Sequence, residues 1–199
     1  MVDYLKVIFK IQWMSPKILV LNNGSAYCSN LIQYLMKRDC EVFMENPYGS
    51  LSQITKGYDG VIISGGIIPE GAIDEKKRGR SIAWYKGFLE QSIVPVLGIC
   101  FGHLMIGMIY GGRRGKMIES GERLVKLNFP LLKGETTVYQ DHKKGILRVS
   151  RRSPLIAYRD ENSGLIQALS HNKRPIYSVQ FHPEVRGAEV LDNFLELVS

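Results

Sequence analysis

The sequence has little that would tie it to an oxidising compartment, a metal site or a membrane. Its three cysteines, Cys28, Cys40 and Cys100, stand at unrelated spacings and form no CxxC pair. An odd number of cysteines argues against a complete disulfide framework, so we expect a reduced, cytoplasmic setting. No zinc-binding pattern is present, and we predict no metal. No apolar run approaches the roughly 18 residues that a membrane-spanning helix needs, and the N-terminus lacks the small-residue cleavage site of a secretory signal.

Acidic residues are in the minority, with 26 Lys and Arg against 19 Asp and Glu and a net charge of +7. Such a balance permits binding to nucleic acid or to an acidic partner. No aromatic residues alternate with the basic ones, as they do in single-strand binding platforms. We therefore interpret the basic clusters as solvated loop ends and expect no nucleic-acid binding; the clusters are Lys76-Lys77-Arg78, Arg113-Arg114, Lys143-Lys144 and Arg151-Arg152.

The order of apolar segments predicts a single α/β domain over residues 17–199, with residues 1–16 as an N-terminal extension. Short apolar runs alternate with amphipathic stretches, which is typical of a mostly parallel sheet covered by helices on both faces. Residues 113–169 break this order with short strand-like segments, for which we expect hairpins or a small added antiparallel sheet. The predicted strands are 17–21, 41–44, 61–63 and 94–99, and the predicted helices are 27–38, 74–91, 101–110 and 188–198.

The stretch VPVLGICFGHLM places Cys100 between Gly98 and Gly102, where a buried strand meets a helix. A sharp strand-to-helix turn of this kind projects a nucleophile from the sheet, and the N–H that follows it can stabilise an oxyanion. The start of the helix also favours a thiolate. A lone cysteine in an apolar strand is otherwise a small buried hydrophobe, and this interpretation stays open.

A thiol nucleophile needs a base, and the base needs a group that orients it. The segment VQFHPEV supplies His182 and Glu184 at the end of another apolar strand. Residues two apart in extended chain point to the same side, so the imidazole could take the thiol proton while the carboxylate holds its tautomer. A surface His-Pro-Glu turn is the alternative.

Together, the motifs GICFGH, VQFHPEV and VIISGG resemble those of the class I, triad-type glutamine amidotransferases over about residues 17–199. The resemblance implies a three-layer, flavodoxin-like α/β fold. It implies that Cys100 is the nucleophile, His182 the base and Glu184 its orienting group, with the amides of Gly66 and Phe101 as the oxyanion hole. The implied reaction is glutamine hydrolysis through a γ-glutamyl thioester, with ammonia passed to a separate synthetase.

Within this family, the PIYSVQFHPEV segment looks most like the separate glutaminase subunit of GMP synthase found in archaea, which serves purine nucleotide biosynthesis. The glutaminase subunits of anthranilate and aminodeoxychorismate synthases look similar and remain alternatives. The implied partner is a synthetase of the ATP pyrophosphatase type. No cofactor is expected in this chain, because ATP and Mg would belong to that partner.

The residues expected to bind substrate depart from the family pattern. Leu104 stands where the family usually has a glutamine that helps bind the substrate, and leucine can form no side-chain hydrogen bond. Asp141 and His142 open a segment that in the family reads Ser-His-x-Asp-Glu, and its two acidic positions are here Lys144 and Gly145. These changes leave two further hypotheses: a stand-alone hydrolase of γ-glutamyl or other amides, and a non-catalytic binding module. The glycine loop also continues as Ile67-Ile68-Pro69 instead of Gly-Gly-Pro.

Overall fold

The computed structural model describes residues 15–47, 56–66 and 75–198. Strands are interspersed with helices there as far as the third helix, and a long run of strands follows. The elements are β1 (Lys17–Asn23), α1 (Cys28–Met36), β2 (Glu41–Glu45), β3 (Gly60–Gly66), α2 (Glu75–Gln91), β4 (Val96–Ile99), α3 (Phe101–Ile109), β5 (Gly112–Phe129), β6 (Leu132–Val149), β7 (Leu155–Arg159), β8 (Ile166–His171), β9 (Ile176–Val179) and α4 (Glu189–Leu195).

The main sheet has seven strands in the order β2-β1-β3-β4-β9-β8-β7. The first five of these strands are parallel, and β8 and β7 extend the sheet in antiparallel fashion. The central strands β3 and β4 are buried along almost their whole length, which explains their continuous apolar sequences. The predicted mostly parallel α/β sheet is confirmed.

The two faces of this sheet carry separate apolar clusters. Ile18 and Val20 point to the face that α1 and α4 cover, whereas Leu19 and Leu21 point to the face covered by α2 and α3. This alternation is the period of two that a strand imposes on its side chains. It produces the three layers that the resemblance implied.

The strands β5 and β6 form a two-stranded antiparallel ribbon of 18 residues on each side. The expectation of an added antiparallel sheet is confirmed, but the prediction of short segments between residues 113 and 149 is wrong. Glycines in this region do not end the strands. Gly121 takes a φ of 82° within β5, and Gly115 pairs with Gly145 beside a shift in register. The ribbon thus absorbs its glycines as local irregularities.

Residues 1–14 lie outside the described part of the chain, so an N-terminal extension stays a prediction. The same holds for Ile67, Ile68 and Pro69. None of the described helices is both long and apolar enough to cross a bilayer.

Candidate active site

Cys100 lies at the turn between β4 and α3 in a strained backbone conformation, with φ 47° and ψ −90°. Apart from glycines, Asp39 is the only other described residue with positive φ. A Cβ on Gly98 would lie 2.8 Å from the carbonyl carbon of Gly102, and a Cβ on Gly102 would lie 2.5 Å from the oxygen of Ile63. Both flanking glycines are therefore required by close backbone packing, and strain of this kind is typical of functional turns.

His182 and Glu184 form a buried hydrogen-bonded pair just after β9. The distance from His182 Nδ1 to Glu184 Oε1 is 2.8 Å, and the two side chains are 4% and 1% exposed. A carboxylate at Nδ1 fixes the proton there and leaves Nε2 as the reactive nitrogen. The backbone N–H of His182 donates to the carbonyl of Tyr139 at 2.8 Å. The ribbon therefore helps to hold this histidine in place.

The charge state of His182 depends on its burial and on two neighbouring groups, which act in opposite directions. Burial disfavours the imidazolium, but the neighbouring Cys100 and Glu184 favour it, and the pKa of His182 is raised to about 10. A protonated ring beside the sulfur is the arrangement that activates a cysteine as a thiolate. The structure therefore brings the three predicted catalytic side chains together in a thiol–imidazole–carboxylate order.

The thiol has two further polar neighbours. Its Sγ lies 3.9 Å from the backbone carbonyl oxygen of Asp141 and 4.0 Å from Nε2 of Gln180. Gln180 is fully buried, and its Oε1 has no hydrogen-bond partner in the described part of the chain. The sequence reasoning missed this residue, although its position two residues before His182 was a usable signal, because residues two apart in extended chain point to the same side.

The two glycines at the end of β3 lie at close-packed positions, and Gly65 lies directly against the ring of His182. A Cβ on Gly65 would lie 2.9 Å from His182 Cε1 and 3.1 Å from Ser25 Oγ, and a Cβ on Gly66 would lie 2.6 Å from the carbonyl oxygen of Asn23. Asn23 is held in turn, because its N–H donates to Ser64 Oγ at 2.9 Å. Gly65 thus makes room for the imidazole, and Gly66 makes room for the neighbouring loop.

The other predicted oxyanion donor, the amide of Phe101, is the first N–H of α3. The first N–H groups of a helix have no acceptor within it, so this amide can serve a ligand.

Tyr27, immediately before α1, packs against the ring of His182. Its ring lies 4.7 Å from the His182 ring in an edge-on arrangement. Its hydroxyl donates to Asp141 Oδ2 at 2.8 Å, and this places the exposed Asp141 carboxylate at the rim of the site. Nothing in the sequence pattern marked Tyr27, because it lies more than 150 residues away from the histidine it touches.

The remaining two predicted substrate residues are engaged elsewhere. Leu104 is 4% exposed and packs in the apolar cluster under α2 and α3. The ring of His142 is buried, with Nδ1 2.9 Å from the carbonyl oxygen of Met117 and Nε2 2.9 Å from Oε1 of Gln140. Neither side chain offers a free polar group to a substrate at Cys100.

No group of three or more His, Cys, Asp or Glu residues suited to a metal ion occurs in the ranges that the structure describes. The candidate site is therefore built from a thiol, an imidazole and carboxylates, with backbone amides at the turn.

Comparison with known proteins agrees with this geometry. The family described as glutamine amidotransferase class-I matches residues 19–197. The chain belongs to the class I glutamine amidotransferase family. A relative from Methanococcus aeolicus, named as one subunit of a glutamine-hydrolysing GMP synthase, is 33% identical, and the alignment covers 90% of this chain and 96% of the relative. The predicted resemblance to this family and to the archaeal protein is confirmed.

Two further comparisons concern a longer relative and a solved structure. A glutamine-hydrolysing GMP synthase from Francisella philomiragia is 30% identical over 89% of this chain, which spans 35% of that longer relative. A crystal structure from Thermoplasma acidophilum, of a protein provisionally assigned as one subunit of GMP synthase, superposes with a TM-score of 0.78 and 24% identity, covering 92% of this chain and 94% of that one. The structural likeness supports the fold of the family.

Proposed function

We propose that this chain is the glutaminase subunit of a two-subunit GMP synthase, hydrolysing glutamine to glutamate and ammonia and passing the ammonia to a synthetase partner. The observation that carries the proposal is the buried His182–Glu184 pair next to Cys100 on its strained turn. The likeness to the Methanococcus aeolicus protein over nearly the whole of both chains supports the GMP synthase assignment.

In the proposed mechanism, Cys100 gives its proton to His182 and the thiolate attacks the carboxamide carbon of glutamine. The amides of Phe101 and Gly66 stabilise the oxyanion that forms. His182 then protonates the leaving nitrogen, the C–N bond breaks, and ammonia departs from a γ-glutamyl thioester. Water attacks the thioester as His182 takes its proton, which releases glutamate and regenerates the thiol. Glu184 stabilises the imidazolium in both halves of the reaction.

Substrate recognition is assigned mainly to Asp141. Its carboxylate is exposed at the rim of the site, and its backbone carbonyl lies 3.9 Å from the thiol. A carboxylate at that place suits the α-ammonium group of a free amino acid. Leu104 and His142 are assigned structural roles and not direct contact with the substrate, since Leu104 lacks polar side-chain atoms and His142 uses both ring nitrogens internally.

The partner is proposed to be a synthetase of the ATP pyrophosphatase type, which would bind the ATP and Mg. The chain corresponds to 35% of the length of the Francisella relative. The Methanococcus aeolicus relative, which is covered over 96% of its length, is itself named as one subunit, and this supports a synthetase on a separate chain. We assign both chains to the cytoplasm, in keeping with three free cysteines.

Ammonia release from glutamine by purified protein in reducing buffer tests the proposal, with and without the synthetase encoded in the same genome. We expect activity that rises with the partner, and GMP formation with glutamine as the sole nitrogen source. Cys100→Ala should abolish ammonia release, whereas Cys40→Ala, a change at another buried free cysteine, should preserve it. Absence of ammonia in both conditions would refute the proposal.

A second candidate is a stand-alone hydrolase of γ-glutamyl or other amides. It is favoured by one observation: the exposed Asp141 lies at the rim of the site, where the GMP synthase resemblance implies a serine, and Lys144 and Gly145 follow where it implies two acidic residues. This candidate predicts hydrolysis of γ-glutamyl-p-nitroanilide at rates that no synthetase changes. The alternative assignments to anthranilate or aminodeoxychorismate synthase are tested by the ammonia-release assay, with the synthetase of either enzyme in place of the GMP synthase partner.

A further inference from the structure

A groove with four arginine side chains lies at the far end of α3 from the catalytic thiol. It has a volume of about 760 Å³, and Arg113, Arg148, Arg151 and Arg152 line it together with the backbone of Gly111 and Gly112. The helix α3 begins next to Cys100, has nine residues and ends just before this groove. Nine helical residues span about 14 Å, so the groove is a site separate from the thiol.

The fold, and not the sequence order, brings these four arginines together on one cavity. Arg113 is the second residue of β5, and Arg148 lies near the end of β6 as its direct cross-strand partner. Arg151 and Arg152 lie in the turn that follows β6, where Ser153 N–H donates to the carbonyl of Ser150 at 3.0 Å. Arg113 and the Arg151-Arg152 pair come from two basic clusters about 40 residues apart that the sequence analysis interpreted as solvated loop ends. In the fold they converge with Arg148 on one cavity.

The groove has no negative charge of its own. Its lining contains no Asp or Glu. Among the side chains described, none of the four arginines forms an ion pair with a carboxylate. Arg113 and Arg148 lie directly opposite each other on paired strands, and like charges in such positions are unfavourable. Four uncompensated guanidinium groups around one cavity thus favour a ligand that carries several negative charges.

The size and composition of the groove select the class of ligand. A volume of about 760 Å³ lies in the range of small-molecule sites. The lining contains no aromatic side chain on which a nucleobase could stack, unlike surfaces that bind single-stranded nucleic acid. Guanidinium groups match phosphate oxygens with paired hydrogen bonds, which makes arginine the preferred partner of phosphate groups.

We propose that the Arg113–Arg148–Arg151–Arg152 groove binds the polyphosphate group of a small ligand. A diphosphate bridges guanidinium groups that come from the two strands and from the turn, and so relieves the repulsion between them. The same chemistry is presented by free inorganic pyrophosphate and by the phosphate tail of a nucleotide. This site is independent of the proposed glutaminase function.

Isothermal titration calorimetry of the full chain with sodium pyrophosphate tests the proposal. The titration is run at about 0.1 M salt, where charges more than about 10 Å apart are largely screened. We expect one pyrophosphate per chain, with orthophosphate and sulfate binding at least about tenfold more weakly because each bridges fewer guanidinium groups. ATP distinguishes the two sources: tighter binding than pyrophosphate identifies a nucleotide tail, and equal or weaker binding identifies free pyrophosphate.

The ribbon supplies a matched control. Lys116 and Lys144 are also direct cross-strand partners, but they lie outside the groove. Arg113→Gln combined with Arg148→Gln should weaken pyrophosphate binding at least about tenfold, while Lys116→Gln combined with Lys144→Gln should weaken it less than about threefold. Both double variants should keep or raise the midpoint of thermal unfolding, because each removes a like-charge pair.

Three results would overturn the proposal. The first is pyrophosphate binding no tighter than sulfate. The second is equal weakening by the two double variants, which would indicate diffuse charge on the ribbon. The third is tighter binding of a single-stranded RNA oligonucleotide than of pyrophosphate, with both cross-strand pairs contributing.

Discussion

Replacing Glu184 by glutamine isolates the contribution of the carboxylate to the catalytic pair. The change keeps the size of the side chain and removes its charge from a position that is 1% exposed and 2.8 Å from His182 Nδ1. The pKa of His182 is about 10 against an ordinary 6.5. At about 1.36 kcal/mol per pKa unit, this rise means that the site favours the charged ring over the neutral ring by an amount on the order of 5 kcal/mol. This is a net effect, in which the attraction of Cys100 and Glu184 exceeds the cost of burying the charge.

Cys100 and Glu184 share this effect, so only part of it is lost with the carboxylate. A hydrogen bond to a charged group contributes about 1.5–3 kcal/mol, and we expect the pKa of His182 to fall by about 1–2 units in Glu184→Gln. The kcat for glutamine should fall by about 10–10²-fold, because the imidazolium that forms in each step loses this stabilisation and each 1.36 kcal/mol is worth a factor of about ten in rate. The KM should change little, since the buried carboxylate cannot reach a substrate.

The assay combines NMR titration of the His182 ring with steady-state ammonia release. Glu189→Gln is the control, because Glu189 is an exposed carboxylate five residues further along; it should leave both quantities unchanged. Stability supplies a second readout. The raised pKa means that the charged pair stabilises the folded state fully below about pH 6.5 and loses this effect as the pH rises through about 10. A kcat within about twofold of wild type, together with an unshifted His182 pKa, would refute the proposed role of the pair.

Three further outcomes follow from the site and its surroundings. In Gly65→Ala the new Cβ would lie 2.9 Å from His182 Cε1, so kcat should fall at least about tenfold; unchanged kcat would show that the ring tolerates displacement. Tyr27→Phe keeps the ring contact with His182 and should hold kcat within about threefold, whereas Tyr27→Ala should lower it about tenfold; equal rates would contradict a positioning role. Burial lowers the pKa of His103 from 6.5 to about 3. As the pH drops from 6.5 towards 3, the His103 ring is therefore protonated in the unfolded state but not in the folded state, and the free energy of unfolding falls by up to about 1.4 kcal/mol per pH unit. Denaturant titrations across that pH range should show a smaller pH dependence of the free energy of unfolding for His103→Asn than for wild type. An identical pH dependence would exclude this contribution of His103.

The catalytic candidates could be predicted because their signals are local. Gly98 and Gly102 are needed by contacts within and next to one strand-to-helix turn, and the structure places Cys100 at positive φ between them. His182 and Glu184 are two residues apart, so their spacing alone put both side chains on one side of the chain. The alternation of apolar runs likewise predicted the parallel sheet, because buried parallel strands are apolar throughout.

Other features of the site depend on residues that meet only after folding. Tyr27 lies over His182, and its hydroxyl bonds to Asp141 across 114 positions of sequence. Leu104 follows the nucleophile closely in sequence, yet the direction of its helix turns it into the apolar cluster and away from a substrate. No local pattern carries such information, because it depends on which faces of distant elements pack together.

The sequence by itself determined the α/β layering, the turn that strains Cys100 and the pairing of His182 with Glu184. Each of these follows from side-chain period or from steric needs within a few residues. Only the tertiary structure decided the length of the ribbon, the burial of Leu104 and the convergence of arginines on one groove. Strand pairing sets these, since residues such as Arg113 and Arg148 become neighbours only through a register defined over 18 residues on each strand.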